Sequence, residues 1–439
     1  MKRKITSLLL SVIMLLSFAA CGTSDNTEIT PEAGFPEPTP TPEPEVITEL
    51  EPLPEPETME EHIVVDSLVS TGNNTRIKNA IEKARNGEPV NIAAIGGSIT
   101  EGAGARPNSN CYAEQFYEKF KAEYASGNAS HVSFANAGMA GTPSNLGWIR
   151  YQRDVYNALG GNPDILIIEF AVNDSEDQSF GTNGAAYESM VYDVLNLPNA
   201  PAVVLMFSVF PNNNTVLQSK YIPVGEAYQL PMVSIGNGTR QWVSDGDLTK
   251  DDFFADQFHP NNYGHQLMAD ALMYCIMTID REPPAEADLI MPTEAVLSNG
   301  RSYSGMVSVL KGDPLPAGLT LDEGSFTETD LALYRLEYNN QTTFPENWRR
   351  NTGDEPFVIE VTCRNFSLVY KAGSGMGDAD IYVDGGKVRT EKAGGGWNNA
   401  VTVQLFNEPE TKSRRIEIRM AEGSEEKAFT ILGFGYTAD

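Results

Sequence analysis

The sequence is poor in cysteine, in histidine and in positive charge. Four Cys in 439 residues exclude a disulfide framework. The 31 Lys and Arg face 60 Asp and Glu, a net charge of −29, which disfavours nucleic-acid binding because that needs a basic face. Beyond the first twenty residues, no apolar run approaches the roughly 18 residues of a membrane-spanning helix. Hydrophobic residues still make up 41% of the chain, so it can bury a real core, and its length predicts two or three domains.

The first twenty residues have the pattern of a bacterial export signal. Lys2, Arg3 and Lys4 precede an apolar stretch, and small residues follow it. Cys21 comes next, which resembles a lipoprotein signal in which this cysteine is lipidated and becomes the mature N-terminus. We therefore expect residues 1–20 to be a signal peptide and the protein to be exported and lipid-anchored at the cell surface. An ordinary secretory signal with an incidental cysteine is the alternative.

Residues 21–61 are predicted to be a tether. From residue 22 to residue 61 there is no Lys or Arg, but there are twelve acidic residues and nine prolines. Proline favours extended polyproline II and like charges repel, so this composition predicts a semi-stiff, solvated spacer.

Residues 62–283 alternate short apolar runs with amphipathic segments. Residues 90–95, 164–170 and 202–209 are predicted strands, and residues 75–86 and 262–279 are predicted helices. This alternation predicts an α/β domain with a parallel sheet covered on both faces. In such folds ligands bind beyond the carboxyl ends of the strands.

The composition changes after residue 283. Pro283 and Pro284 mark a boundary, and residues 284–439 contain short β-rich runs. Asp384-Gly385-Gly386 is typical of a hairpin turn between two of them. We therefore expect a smaller β-sandwich domain over residues 284–439.

Three candidate site residues follow predicted strands. Ser98 lies in IGGSIT after the first strand, Gly141 ends NAGMAG, and Asn173 lies in AVND after DILIIEF. A serine there can be presented at the sheet edge, a glycine allows close backbone approach, and an amide can donate to a developing oxyanion. Taken singly, a loop serine, a tight turn and a helix cap explain them equally well or better.

A fourth element, DQFHP, supplies Asp256 and His259. Three residues apart, the carboxylate can orient the imidazole while the other ring nitrogen faces the serine. His259 is one of only four histidines. The four elements together are far less expected by accident than any one of them.

In order and approximate spacing, Ser98, Gly141, Asn173 and His259 resemble the SGNH hydrolases, also called GDSL-type esterases, over about residues 70–283. The resemblance implies a three-layer α/β/α, flavodoxin-like fold and ester hydrolysis without a metal or other cofactor. It implies Ser98 as nucleophile, His259 as base, Asp256 as its orienting partner, and an oxyanion hole from the N–H groups of Ser98 and Gly141 and the amide of Asn173.

Two residues depart from that pattern. Gly97 replaces the usual Asp before the nucleophile, and Ala171 replaces the usual Gly two before Asn173. Both changes are similar to those of carbohydrate-esterase branches, and the β-rich tail resembles the jelly-roll domains attached to some of those enzymes.

Three functions remain open at this point. The first is a surface-anchored esterase that removes acetyl groups from polysaccharide such as mannan or xylan. The second is an esterase or acyltransferase acting on O-acetylated envelope glycan such as peptidoglycan, and the third is a non-enzymatic glycan-binding lipoprotein. The complete Ser-Asn-Asp-His set argues against the third. The expected partners are an acetylated glycan and, through the lipid alone, the membrane; Trp397 is a possible glycan contact, although core packing would also explain a tryptophan.

Overall fold

The computed structural model describes residues 50–174, 184–209, 217–333 and 342–438. The predicted signal peptide, Cys21 and most of the predicted tether lie outside these residues. Within them, every helix is too short or too polar to cross a membrane. The first helix begins at Met59, inside the segment predicted as tether.

The first part of the described chain alternates helices and strands. Its ten α-helices are α1 Met59–Asp66, α2 Thr75–Asn86, α3 Ser98–Glu101, α4 Tyr112–Tyr124, α5 Ser144–Tyr151, α6 Ala185–Leu195, α7 Gln218–Ala227, α8 Ile235–Asp245, α9 Lys250–Phe253 and α10 Asn262–Arg281. Its six strands are β1 Leu68–Ser70, β2 Val90–Gly96, β3 Val132–Gly138, β4 Ile165–Glu169, β5 Ala202–Phe207 and β6 Met232–Ser234.

These six strands form one sheet in the order β1-β6-β5-β4-β2-β3. Strands β2 to β6 are parallel, and β1 adds an antiparallel edge to β6. Counted along the chain, the parallel strands have the flavodoxin order 2-1-3-4-5. The strand order reverses between β2 and β4, so the crevice beyond their carboxyl ends is where a ligand is expected.

Two apolar cores cover the two faces of this sheet. Alternate residues of β2 point to opposite sides: Ile92 and Ala94 pack in the core under α2, α4 and α10, whereas Ala93 and Ile95 pack under α6 and α7. Helix α2 buries residues spaced three and four apart, as an amphipathic helix must. The predicted α/β class with helices on both faces is therefore confirmed.

The second part of the described chain is antiparallel β structure. Its strands are β7 Val307–Val309, β8 Thr320–Asp322, β9 Trp348–Arg350, β10 Phe357–Ala372, β11 Ala379–Val383, β12 Gly386–Glu391, β13 Asn399–Met420 and β14 Phe429–Thr437. The main path is β12-β11-β13-β10-β14-β7, with β8 on β10 and β9 on β14. Asp384 and Gly385 both have positive φ and join β11 to β12, which is the hairpin predicted there. The predicted smaller β domain is present.

The chain between α10 and β7 packs on the first part of the described chain. The fully buried Glu188 of α6 accepts hydrogen bonds from the N–H groups of Val296 (2.7 Å) and Leu297 (2.8 Å). The Trp148 indole donates to the Tyr303 carbonyl oxygen at 3.0 Å. The domain boundary at residue 284 stays a prediction, but the residues after it are bound to the first part by buried contacts.

The two parts also share apolar packing. Met139 and Ile149, from the first part, lie in one buried cluster with Leu310, Val369 and Leu432 from the β domain. The β domain is therefore docked through a core and not merely tethered.

Candidate active site

A tight turn presents Ser98 at the carboxyl end of β2. Ser98 is the first residue of α3, and the turn before it is too crowded for side chains. A Cβ at Gly96 would collide with Thr100, and one at Gly97 would collide with the Asn173 amide. In this backbone, Asn173 occupies the space that a side chain at position 97 would need.

The loop before α10 brings His259 to Ser98. The His259 carbonyl accepts from the Ala255 N–H at 2.9 Å, and Phe254 and Pro260 form an antiparallel bridge, so the loop is closed on itself. His259 Nε2 lies 3.0 Å from Ser98 Oγ.

Asp256 completes the chain of hydrogen bonds. Its Oδ2 lies 2.9 Å from His259 Nδ1, and its Oδ1 accepts from the N–H groups of Phe258 (2.7 Å) and His259 (2.9 Å). Partial burial raises the pKa of Asp256, but the hydrogen bonds from the His259 ring and from these backbone groups outweigh it and hold that pKa below its usual value. An ionised carboxylate only accepts, so Nδ1 carries the hydrogen and Nε2 is left to take the Ser98 proton.

Gly141 and Asn173 flank the serine from the neighbouring strand ends. Gly141 has φ +69°, in the left-handed region that favours glycine, and Asn173 follows β4 in a turn whose N–H groups bond the Phe170 carbonyl. The Ser98 N–H is at the start of α3, where a helix leaves its N–H groups unpaired. The structure thus brings Ser98, Gly141, Asn173, Asp256 and His259 to one edge of the sheet, and their catalytic roles stay predictions.

Trp397 comes to the same place from the β domain. A Cβ at Gly141 would lie 2.9 Å from Trp397 Cζ2 and 3.1 Å from Cη2, so the indole covers this glycine. The tryptophan is 50% exposed, which is unusual for so large an apolar side chain. Its role as a glycan contact stays a prediction, but core packing does not describe its position.

A buried polar group that the sequence motifs did not indicate lies beneath the turn. The Thr100 hydroxyl lies 2.8 Å from the Tyr112 hydroxyl and 3.2 Å from Glu169 Oε2. Glu169 is fully buried at the end of β4, and burial raises its pKa to about 8. The glutamate at the end of the apolar run DILIIEF was the available signal, because an acid inside a buried strand needs partners.

We expect Glu169→Gln to change how stability depends on pH. Between the usual pKa of 4.5 and the folded value of about 8, the folded protein keeps this proton and the unfolded chain releases it. Stability contributed by Glu169 is therefore lost as pH rises through this window, by at most about 1.4 kcal/mol per pH unit.

Urea midpoints of the wild type and of Glu169→Gln at pH 5, 6.5 and 8 would measure this effect. At each higher pH, the stability of Glu169→Gln relative to the wild type should increase. Two curves that run parallel across this range would contradict a neutral Glu169.

In the part of the chain that the structure describes, no group of three or more His, Cys, Asp or Glu side chains is placed to hold a metal ion. The cysteines described, Cys111, Cys275 and Cys363, are buried free thiols.

Part of the chain matches the model of a known protein family. Residues 94–267 match the model of the GDSL-like lipase/acylhydrolase family. No curated protein sequence matches the chain significantly.

Two similar solved structures have both domains. One is a two-domain esterase (CEX) active on acetylated mannans, co-crystallised with mannopentaose, with a TM-score of 0.71, 24% identity and coverage of 86% of this chain and 98% of that one. The other is also a two-domain esterase (CEX) active on acetylated mannans, with a TM-score of 0.69, 25% identity and the same coverage. These likenesses extend the shared fold to the β domain. The predicted resemblance is confirmed: residues 94–267 are a domain of the GDSL-like lipase/acylhydrolase family, and the protein is a carboxylic ester hydrolase.

Proposed function

We propose that this protein is a surface-anchored serine esterase that removes O-acetyl groups from a mannan-type polysaccharide through an acyl-enzyme. The observation that carries the proposal is the chain of hydrogen bonds Asp256–His259–Ser98 beside an exposed tryptophan of the second domain. The similarity to a two-domain esterase active on acetylated mannans supports the choice of substrate class.

In the first half of the proposed mechanism, Ser98 Oγ attacks the acetyl carbonyl carbon and His259 Nε2 takes the hydroxyl proton. Asp256 stabilises the imidazolium that forms. The oxyanion is bound by the N–H groups of Ser98 and Gly141 and by the Asn173 amide. The carbon–oxygen bond to the sugar then breaks, and the leaving oxygen takes the proton from His259.

In the second half, water attacks the acetyl-enzyme. His259 removes a proton from the water, and the tetrahedral intermediate collapses to acetate while Ser98 regains its proton. Each step uses groups of this chain, and His259 alternates between base and acid.

Acetate release from three glycans tests the substrate. Acetylated mannan, acetylated xylan and O-acetylated peptidoglycan should be incubated with the enzyme at equal acetyl concentration, with the Ser98→Ala protein as the blank. We expect the highest kcat/KM on mannan. A clear preference for peptidoglycan would favour action on the cell envelope, and binding of a glycan with no acetate released from any would favour a binding protein.

Trp397→Ala should lower activity on the polysaccharide more than activity on a small ester. The exposed indole offers a flat apolar face beside Gly141, and losing such a contact is worth on the order of 1 kcal/mol. We expect kcat/KM on acetylated mannan to fall by about fivefold to tenfold, with less than a twofold change on 4-nitrophenyl acetate.

Val388→Ala is the matched control, since Val388 is a similarly exposed apolar residue of the β domain at 47%. It should leave both activities unchanged. An equal loss on both substrates for Trp397→Ala would mean that the indole supports the Gly141 loop and does not contact the glycan.

The anchor is proposed from residues 1–61, whose signal-like start, Cys21 and acidic, proline-rich composition suit display at a bacterial cell surface. Mass spectrometry of the protein from its host should find a diacylated or triacylated Cys21 at the mature N-terminus. An unmodified mature N-terminus at any other residue would reject the anchor and leave the esterase proposal intact.

A further inference from the structure

Glu101 links the two segments that carry the backbone oxyanion donors. It is the last residue of α3, three residues after Ser98, and it is only 1% exposed. Its Oε2 accepts a hydrogen bond from the Ala140 N–H at 2.7 Å. One side chain thus ties the nucleophile's helix to the residue before Gly141.

In the loop from Gly138 to Gly141, the N–H groups of the first three residues each donate to a different acceptor. The Gly138 N–H bonds Asn136 Oδ1 at 2.9 Å, and the Met139 N–H bonds the Gly96 carbonyl at 3.1 Å. The Ala140 N–H bonds Glu101, and the Gly141 N–H bonds no other residue that the structure describes. The hydrogen bond from Ala140 to Glu101 is therefore the last one before the Gly141 N–H, which is the group proposed to bind the oxyanion.

Close backbone packing makes this link rigid. A Cβ at Gly138 would collide with the backbone of Thr100 and Glu101, so the end of β3 lies directly against α3. The Glu101 N–H also bonds the Gly97 carbonyl at 3.0 Å, which holds the residue within the turn that presents Ser98.

Arg150 lies near Glu101 and is itself paired with another carboxylate. Arg150 is fully buried, and its Nη1 lies 3.0 Å from Asp154 Oδ2, while Glu101 adds a weaker electrostatic attraction. Arg150 also donates to the Ala137 carbonyl at 2.6 Å and to the Gly96 carbonyl at 2.9 Å. Arg150 thus holds the ends of β2 and β3, and Glu101 holds the loop that follows β3.

We propose that Glu101 is a positioning residue: its carboxylate sets the Gly141 N–H relative to Ser98 and so determines how strongly the site binds the tetrahedral oxyanion. This inference rests on the proposed esterase function. A small error in the position of a donor is costly, because donors must lie close to 2.7–3.1 Å from the oxyanion.

Two substitutions test separately whether the length or the charge of the Glu101 side chain matters. Glu101→Gln keeps the length and an accepting oxygen, whereas Glu101→Asp keeps the charge beside Arg150 but shortens the side chain by one methylene. The readouts are kcat and KM for 4-nitrophenyl acetate and inhibition by methylboronic acid, which forms a tetrahedral adduct with an active serine. Glu188→Gln and Glu188→Asp are the matched controls, since Glu188 is also buried and bonds backbone N–H groups, in α6.

We expect Glu101→Asp to lower kcat about tenfold to hundredfold with KM changed less than threefold, and to weaken methylboronic acid by a similar factor. Glu101→Gln should keep kcat within about threefold of the wild type. The pH midpoint of activity should not move in either, because the His259–Asp256 pair is untouched. The Glu188 variants should lower the melting temperature and keep kcat within twofold.

A folded Glu101→Asp enzyme with wild-type kcat and wild-type boronate affinity would overturn the inference. A Glu101→Gln enzyme that is more impaired than Glu101→Asp would also overturn it, because the charge of the side chain and not its length would then matter. If Ser98→Ala stays active, the proposed function fails; if Ser98→Ala is inactive and Glu101→Asp is fully active, only the positioning role fails.

Discussion

Ser98→Ala should lower hydrolysis of an acetyl ester by on the order of 10⁴-fold or more. The substitution removes the oxygen that attacks the carbonyl, and His259 Nε2, 3.0 Å away, then has no proton to accept. The residual rate would come from the oxyanion donors acting on water, which is why the loss is large but finite.

The measurement is kcat/KM for 4-nitrophenyl acetate, together with the melting temperature. Ser98 is only partly buried and has little packing to lose, so the variant should melt within a few degrees of the wild type. Ser130→Ala, at an exposed loop serine, should keep full activity. A Ser98→Ala protein that retains a tenth of the wild-type rate would mean that another group is the nucleophile.

Asn173→Ala should lower kcat by about 10² to 10³, the scale of one lost oxyanion donor. Asn173 lies against Gly97, immediately before Ser98, so its amide group is next to the turn that presents the nucleophile. Because the donor strengthens its hydrogen bond as charge develops, the loss should appear in kcat while KM changes by no more than a few fold.

Asn199→Ala is a matched amide control, since Asn199 Nδ2 bonds the Pro163 carbonyl at 2.8 Å, before β4 begins. It should keep wild-type kcat. An Asn173→Ala enzyme that loses affinity but keeps kcat would assign Asn173 to ground-state substrate binding and remove it from the oxyanion hole.

The α/β part of the fold was predictable because its strands are buried on both faces. Such strands are continuous apolar runs, as in β4 and β5, and they alternate with helices whose apolar residues recur every three or four positions. Parallel strands bring the residues that follow them to one edge of the sheet, so the sequence alone is enough to group Ser98, Gly141 and Asn173.

The contacts between the two parts were not predictable in the same way. Trp397 and Gly141 belong to different domains, and no local pattern indicates that the Trp397 indole packs against the Gly141 backbone. The bonds of Glu188 to Val296 and Leu297 likewise join a helix of the first part to a segment that lies beyond the predicted boundary.

Two buried acids were hidden for different reasons. Glu169 lies inside an apolar run, so the sequence indicates a buried acid that needs hydrogen-bond partners but does not identify those partners. Glu101 follows the IGGSIT motif in a short helix, where an acid is normally a solvated charge, and only the packing of β3 against α3 shows that it is enclosed.

The apolar cluster shared by the two parts limits how this enzyme can be rebuilt. Met139, two residues before Gly141, is packed with Leu310 and Leu432 of the β domain. Exchanging that domain for another glycan-binding module would therefore strip the support from the loop beside the nucleophile. Chimeras of this protein should therefore keep both domains together. The two domains should also unfold in a single thermal transition.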